Sequence, residues 1–198
     1  MAEDNQFKNM VSIVIHGRGG QGAKTAAMLL AEVAISLGKQ AQAFPEYGPE
    51  RSGAPLKAYV RLSDKPITTH EPVTNPNIVL IIDETLLDFV SVLDGTDDNT
   101  TFIINSNNKD SVLAKLKLSK SFKGKIAIVD ATSIALNRIG ANKSNTPTLA
   151  ALLKIIELIP FDEFLQKVKV FLELKLGKER TDQNILAMKD AYKGVKLL

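Results

Sequence analysis

Short apolar runs alternate along the chain with longer stretches in which apolar side chains return every three or four residues. Residues 11–16, Val-Ser-Ile-Val-Ile-His, form a β-branched run ended by glycines, the pattern of a buried parallel strand. Residues 23–37 are rich in Ala and Leu at helical spacing, with Gly38 where a C-terminal cap belongs. A second strand is expected over 40–44, stopped by Pro45, and a third over 55–62. In the third, Lys57, Tyr59 and Arg61 alternate with Leu56, Ala58, Val60 and Leu62. That alternation predicts an antiparallel or edge strand with one solvated or partner-facing side. Residues 77–83 are the most hydrophobic strand candidate. A helix over 84–93, a strand over 101–105, a short helix over 111–118 and a last strand over 125–130 follow. Beyond them only helical patterns occur, over 131–139, 148–158, 162–176 and 182–192.

Strands separated by helical segments predict an α/β fold, a three-layer sandwich with a mostly parallel, mixed sheet and a C-terminal helical tail. The segment 65–77, with Pro66, Pro72 and Pro76, reads as a surface crossing and not as a domain boundary. The 198 residues are therefore expected to form one domain, with a core over about 10–160 and a tail over about 161–198. A chain of that length buries roughly 70% of the surface its unfolded state exposes, enough for an ordinary core.

Composition narrows the function classes. Apolar residues at 44% and charged residues at 24% suit a globular chain. The net charge is only +3, from 25 basic and 22 acidic residues, and aromatics are 6% with no Trp. A nucleic-acid surface usually carries a tighter basic stripe with interleaved aromatics, so no nucleic-acid partner is expected. There is no cysteine, which removes disulfides, thiolate catalysis and cysteine-ligated zinc or iron–sulfur clusters from this chain. Two histidines, His16 and His70, far apart in sequence, do not compose a His-rich metal site; His16 reads as a satisfied hydrogen-bonding residue. The polar, acidic start and the lack of an apolar run of ~18 residues predict no signal peptide, no membrane span and a cytoplasmic location.

The strongest candidate site is Gly17-Arg18-Gly19-Gly20-Gln21-Gly22, placed between a strand and a helix with GxGxxG spacing. Glycines there permit a tight turn and close approach of a phosphate, and the helix N-terminus offers unpaired N–H groups. Arg18 and Lys24 could add charge to the same anion. Close packing of the helix on the sheet explains the same glycines without a ligand. No acidic ribose partner ends the second strand, so the NAD fingerprint is poor. A second concentration is the Pro- and Gly-rich loop carrying Glu46, Tyr47, Gly48, Glu50, Arg51 and Gly53, expected beside the first at the carboxyl edge of the sheet. A third is Asn145-Thr146-Pro147, where Thr146 is expected to cap a helix begun by Pro147. Asp83 and Asp130 end strands at the same edge and are expected to cap the helices that follow. No Ser–His–Asp, HExxH, Walker or EF-hand spacing occurs.

The glycine loop, the Glu46–Gly53 loop and Asn145-Thr146-Pro147, in this order and at these separations, resemble the gamma subunit of 2-oxoacid:ferredoxin oxidoreductases such as pyruvate synthase. The resemblance covers about the whole chain, including the closing helix from Asn184 to Tyr192. Ser52 stands where many members carry glycine, and Thr148-Leu149-Ala150-Ala151 replaces a more usual Met-Leu-Gly-Ala. The resemblance implies a multi-subunit enzyme that decarboxylates a 2-oxoacid, pyruvate in the nearest reading, to acyl-CoA, CO2 and reduced ferredoxin. It implies thiamine diphosphate, Mg and iron–sulfur clusters in partner alpha, beta and ferredoxin-like delta chains, and ferredoxin or flavodoxin as acceptor. It further implies that this chain contacts coenzyme A, through Gly17, Arg18, Gly19, Gly20, Gln21, Gly22, Glu46, Tyr47, Gly48, Glu50, Arg51, Gly53 and Asn145. The alternatives are a stand-alone NAD(P)- or flavin-binding oxidoreductase and a ligand-free assembly domain.

Overall fold

A computed structural model describes residues 10–46 and 52–198. The run predicted over 11–16 is strand β1 (Met10–Arg18), which stands inside a seven-stranded mixed sheet. Helix α1 (Ala23–Ser36) follows, then β2 (Gln40–Pro45) and β3 (Pro55–Ser63). The remaining strands are β4 (Ile78–Ile81), β5 (Thr101–Asn105), β6 (Ile126–Val129) and the two-residue β7 (Lys196–Leu197). Their spatial order is β2-β3-β1-β4-β5-β6-β7. β1, β4, β5 and β6 are mutually parallel neighbours, whereas β3 runs against both β1 and β2. Two reversals cancel, so β2 points the same way as β1.

The β-branched, apolar-on-both-faces character of β1 and β4 has a direct cause: both faces are covered. On one face lie α1, α4 (Asn145–Ile156), α5 (Phe161–Leu176) and α6 (Lys178–Gly194), which share one core with Ile13, Ile15, Val60 and Leu80. Met188 and Ala191 of α6 and Phe164 of α5 belong to that core and have no exposed surface. The second face is covered by a short 3₁₀ helix (Glu84–Asp88), by α2 (Lys109–Leu116) and by irregular chain, over a core of Val79, Ile81, Phe102 and Ile104. Helix α3 (Ala131–Ile139) packs against α6.

Three expectations change. The helix predicted over 84–93 stops at Asp88: the Val92 N–H donates to the Val90 carbonyl, a tight turn no helix can contain. The polar side of β3 is antiparallel as predicted but not solvated, because β3 lies between β2 and β1 and the proline-rich crossing covers it. Tyr59 and Arg61 are 5% and 4% exposed. The Arg61 guanidinium donates to the Glu71 carbonyl at 2.6 Å and lies over the Phe44 ring. Finally, the chain ends in a strand: Lys196 and Leu197 pair antiparallel with β6 and close the sheet edge.

Phe164→Ala tests whether the last helices share the core of the sheet. A loss of ~3–5 kcal/mol in denaturant unfolding is expected for a fully buried phenylalanine, and an unshifted transition would refute the shared core.

Candidate functional site

Because β1, β2, β4, β5 and β6 run in one direction, the segments that leave them gather at one edge. Gly17 and Arg18 are still strand residues, opposite Leu56 and Pro55. A Cβ on Gly17 would sit 3.0 Å from the Ala23 Cβ, so this glycine lets α1 pack close to the strand. Gly20 (φ +92) faces open space, and a side chain there would touch nothing. Gly22 (φ +82) precedes α1 in a left-handed conformation that disfavours other residues, and no side chain caps the helix after it. The N–H groups of Ala23, Lys24 and Thr25 precede the first intrahelical bond, from Ala26 to the Gly22 carbonyl. No acidic residue occupies that first turn, and Lys24 is exposed on it.

The second loop meets the first as predicted. The Gly19 N–H donates to the Ala54 carbonyl at 2.9 Å, and the Gly53 N–H donates back to the Gly19 carbonyl at 3.1 Å. Glu46 leaves β2 exposed, with its N–H bonded to the Lys57 carbonyl. Burial raises the Tyr59 phenol pKa, and the charge and hydrogen bond of the Glu46 carboxylate raise it further. Tyr47, Gly48, Glu50 and Arg51 lie outside the described residues.

Asn145 also arrives at this site, from 123 residues away: its amide reaches the Gly22 carbonyl at 3.4 Å. A Cβ on Gly22 would stand 2.6 Å from that amide nitrogen. The N-termini of α1 and α4 therefore meet. Thr146 does not cap α4; the helix starts at Asn145, and the Thr146 hydroxyl instead pairs with the Asn184 side chain at 3.0 Å, both buried.

Arg18 is committed within the protein. Its Nε donates to Asp83 at 3.2 Å, its terminal nitrogens to the Thr85 hydroxyl at 2.8 Å and the Gly53 carbonyl at 3.2 Å. Its plane lies 5.4 Å from the Phe89 ring centre. The Gln21 amide donates to the same Asp83 oxygen at 2.6 Å and accepts from the Arg18 N–H. Burial alone would raise the Asp83 carboxyl. Hydrogen bonds from the Thr85 hydroxyl, Gln21 and the Thr85 N–H, with the Arg18 charge, outweigh that and hold it below the usual carboxylate range.

Asp83 caps the 3₁₀ helix through Thr85, and Asp130 caps α3 through Ser133, both as expected. Between them opens a polar crevice of about 300 Å³. Asn105 braces its floor, donating to the Ile82 carbonyl and to Thr132, each at 2.8 Å. Thr85, Asn105 and Thr132 had no motif to mark them; only the place of Asn105 at a strand end could have pointed to it.

The family pattern described as pyruvate ferredoxin/flavodoxin oxidoreductase matches residues 12–194. The chain belongs to this family. It is 40% identical over 189 residues to pyruvate synthase subunit PorC of Thermotoga maritima, covering 96% of each chain. It is 41% identical over 184 residues to the pyruvate/ketoisovalerate oxidoreductases common subunit gamma of Pyrococcus furiosus, covering 92% of this chain and 96% of that one. The crystal structure of pyruvate oxidoreductase subunit PORC from Thermotoga maritima superposes with TM-score 0.81 at 37% identity, over 96% of this chain and 98% of that one. A 2-oxoglutarate:ferredoxin oxidoreductase from Magnetococcus marinus shares the fold, with TM-score 0.69 at 16% identity. There the match covers 93% of this chain but 31% of the longer one. The gamma-subunit identity implied by the three sequence motifs, and the mixed α/β sandwich, are thus both shown. Among the described residues no helix is long and apolar enough to cross a membrane.

Two outcomes follow for this family member's site. Asp83 has a depressed pKa when folded, so its contribution is complete above its unfolded pKa and is lost as pH falls through the folded one. The stability gap between wild type and Asp83→Asn should be constant above about pH 5 and narrow in more acid solution; a gap that widens on acidification would contradict the clasp. Gly22→Ala should cost ~1–3 kcal/mol, from left-handed strain and the Asn145 clash, and Asn145→Ala in the same chain should recover part of it.

Proposed function

We propose that this chain is the gamma subunit of a cytoplasmic, multi-subunit pyruvate:ferredoxin oxidoreductase and that its glycine loop holds the phosphates of coenzyme A. The observation that carries this is the N-terminus of α1: an uncapped 14-residue helix, entered through an open glycine turn, with Lys24 and no carboxylate in its first turn. Uncapped N–H groups and the positive end of a helix dipole favour a phosphate at that place. Arg18 is spoken for by Asp83, so in this reading the backbone and Lys24 bind the anion while Arg18 holds the loops that shape the cradle. Gln21 and Asn145 fix the same turn from either side.

The division of labour follows from composition. In this reading the iron–sulfur clusters lie in partner chains, because a chain without cysteine cannot supply cluster thiolates; family membership supports placing thiamine diphosphate and Mg in the alpha, beta and ferredoxin-like delta chains as well. Those chains would supply the decarboxylation and the two-electron oxidation that follows it, with ferredoxin or flavodoxin as acceptor, and this chain would hold coenzyme A beside them. A stand-alone dinucleotide enzyme fits less well: β2 is followed by a loop and the antiparallel β3, where the second strand of a Rossmann unit leads into a helix.

Lys24→Glu in the assembled enzyme should raise the KM for coenzyme A about tenfold, the value of one charge-assisted phosphate contact. Pyruvate-dependent CO2 release without coenzyme A should not change. An unaltered KM for coenzyme A would remove the loop from the binding site.

A further inference from the structure

On the sheet face opposite α1, a separate cavity of about 240 Å³ opens over β1 and β3. Val14, Val73 and Val79 form apolar parts of its wall, and His16, Lys57 and Tyr59 give it a polar side. His16 and Lys57 are direct cross-strand partners, as are Val14 and Tyr59, so these side chains point to the same face. His16 is 4% exposed. The expectation of a satisfied histidine does not hold: among the described residues its ring has no hydrogen-bond partner, although it lines the cavity. Lys57, half-buried beside it, has no ion pair within the described residues. The Lys57 and His16 side chains face one cavity, and both are donors.

We propose that this cavity is a binding site for a small carboxylate, held by the Lys57 ammonium and the His16 ring N–H over a floor of valines. A volume of about 240 Å³ suits an acid of a few carbons. One acidic group, Asp94, borders the cavity, and a second, Glu46, lies outside its lining beside Tyr59. Glu46 is engaged with the Tyr59 hydroxyl, and Asp94 is exposed to water from the 3₁₀-helix side. Neither forms a salt bridge with Lys57, which leaves that charge for a guest.

His16 reports occupancy. Burial first, and the Lys57 charge second, lower its pKa to about 4, so it is neutral near pH 7. A carboxylate beside it opposes both effects and raises the value by ~1 unit or more. The site is independent of the glycine loop, so its failure would leave the proposed coenzyme A role untouched.

The chain holds only two histidines, and exposed His70 serves as the internal reference. NMR of both imidazoles in the full chain should show saturable shifts of His16 on adding acetate or pyruvate at constant ionic strength, with its titration midpoint moving up and His70 unmoved. Sodium sulfate should give no saturable response. Lys57→Met, which keeps the apolar stem, should raise the midpoint of the free chain and abolish the carboxylate response; Lys57→Arg should retain a weakened one. No shift at His16, equal shifts at both histidines, an equal effect of sulfate, or full response in Lys57→Met would each overturn the proposal.

Discussion

One partly buried charge organises the edge of the sheet where the candidate site lies. The Asp83 carboxylate, at the end of β4, is 17% exposed and would be unstable there without donors. It receives them from three parts of the chain: Gln21 from the β1–α1 turn, Arg18 from the end of β1, and Thr85 from its own 3₁₀ helix. Arg18 in turn holds the Gly53 carbonyl, so the loop between β2 and β3 is tied to the same anion through one intermediary. Removing any donor would leave the others organised around an under-satisfied charge, which is why such networks act as units. This constraint settles what Arg18 does. A guanidinium with its Nε and both terminal nitrogens engaged inside the protein holds these loops together, and the donors left at the start of α1 are its backbone N–H groups and exposed Lys24.

The sheet order explains why the two faces differ. Insertion of the antiparallel β3 between β2 and β1 replaces a second strand–helix–strand crossover with a loop and return. Only α1 crosses from this half, to one face, where α4, α5 and α6 complete a helical layer. The other face over β1 and β3 is left to the proline-rich crossing, which cannot pack as tightly as a helix. Val73 fills part of the space against Val14 and Tyr59. The cavity at His16 occupies what remains. Packing that is irregular for a topological reason leaves room at a place where two basic side chains already stand.

Local pattern made most elements readable in the sequence. β-Branched runs at 11–16 and 101–105 have no competing helical reading, and β5 occupies the predicted residues. Long-range facts were not readable. The alternation in β3 fits a solvated face equally well until the crossing is laid over Tyr59 and Arg61. The run after Asp83 has the apolar content of a helix, but Phe89 is 71% exposed, so no continuous stripe faces the sheet. At the site, the glycines could be identified from spacing, and their reasons could not. Gly17 and Gly22 answer to packing against Ala23 and Asn145, whereas Gly20 answers to no neighbour at all. The link from Arg18 to Asp83 spans 65 residues and carries no motif.

Consecutive strand residues point to opposite faces, and the end of β1 uses that alternation. His16 turns to the irregular face and lines the cavity, while at Gly17 the absent Cβ admits Ala23 of α1 on the other. Both sit on a backbone held by β3 on one side and by β4 on the other, and the His16 carbonyl accepts from Ile82, the residue before Asp83. A strand end fixed in this way transmits little motion from one face to the other. The two places are therefore chemically separate although adjacent in sequence. That separation is built within a chain that carries no cysteine and so offers no cluster thiolate at either place.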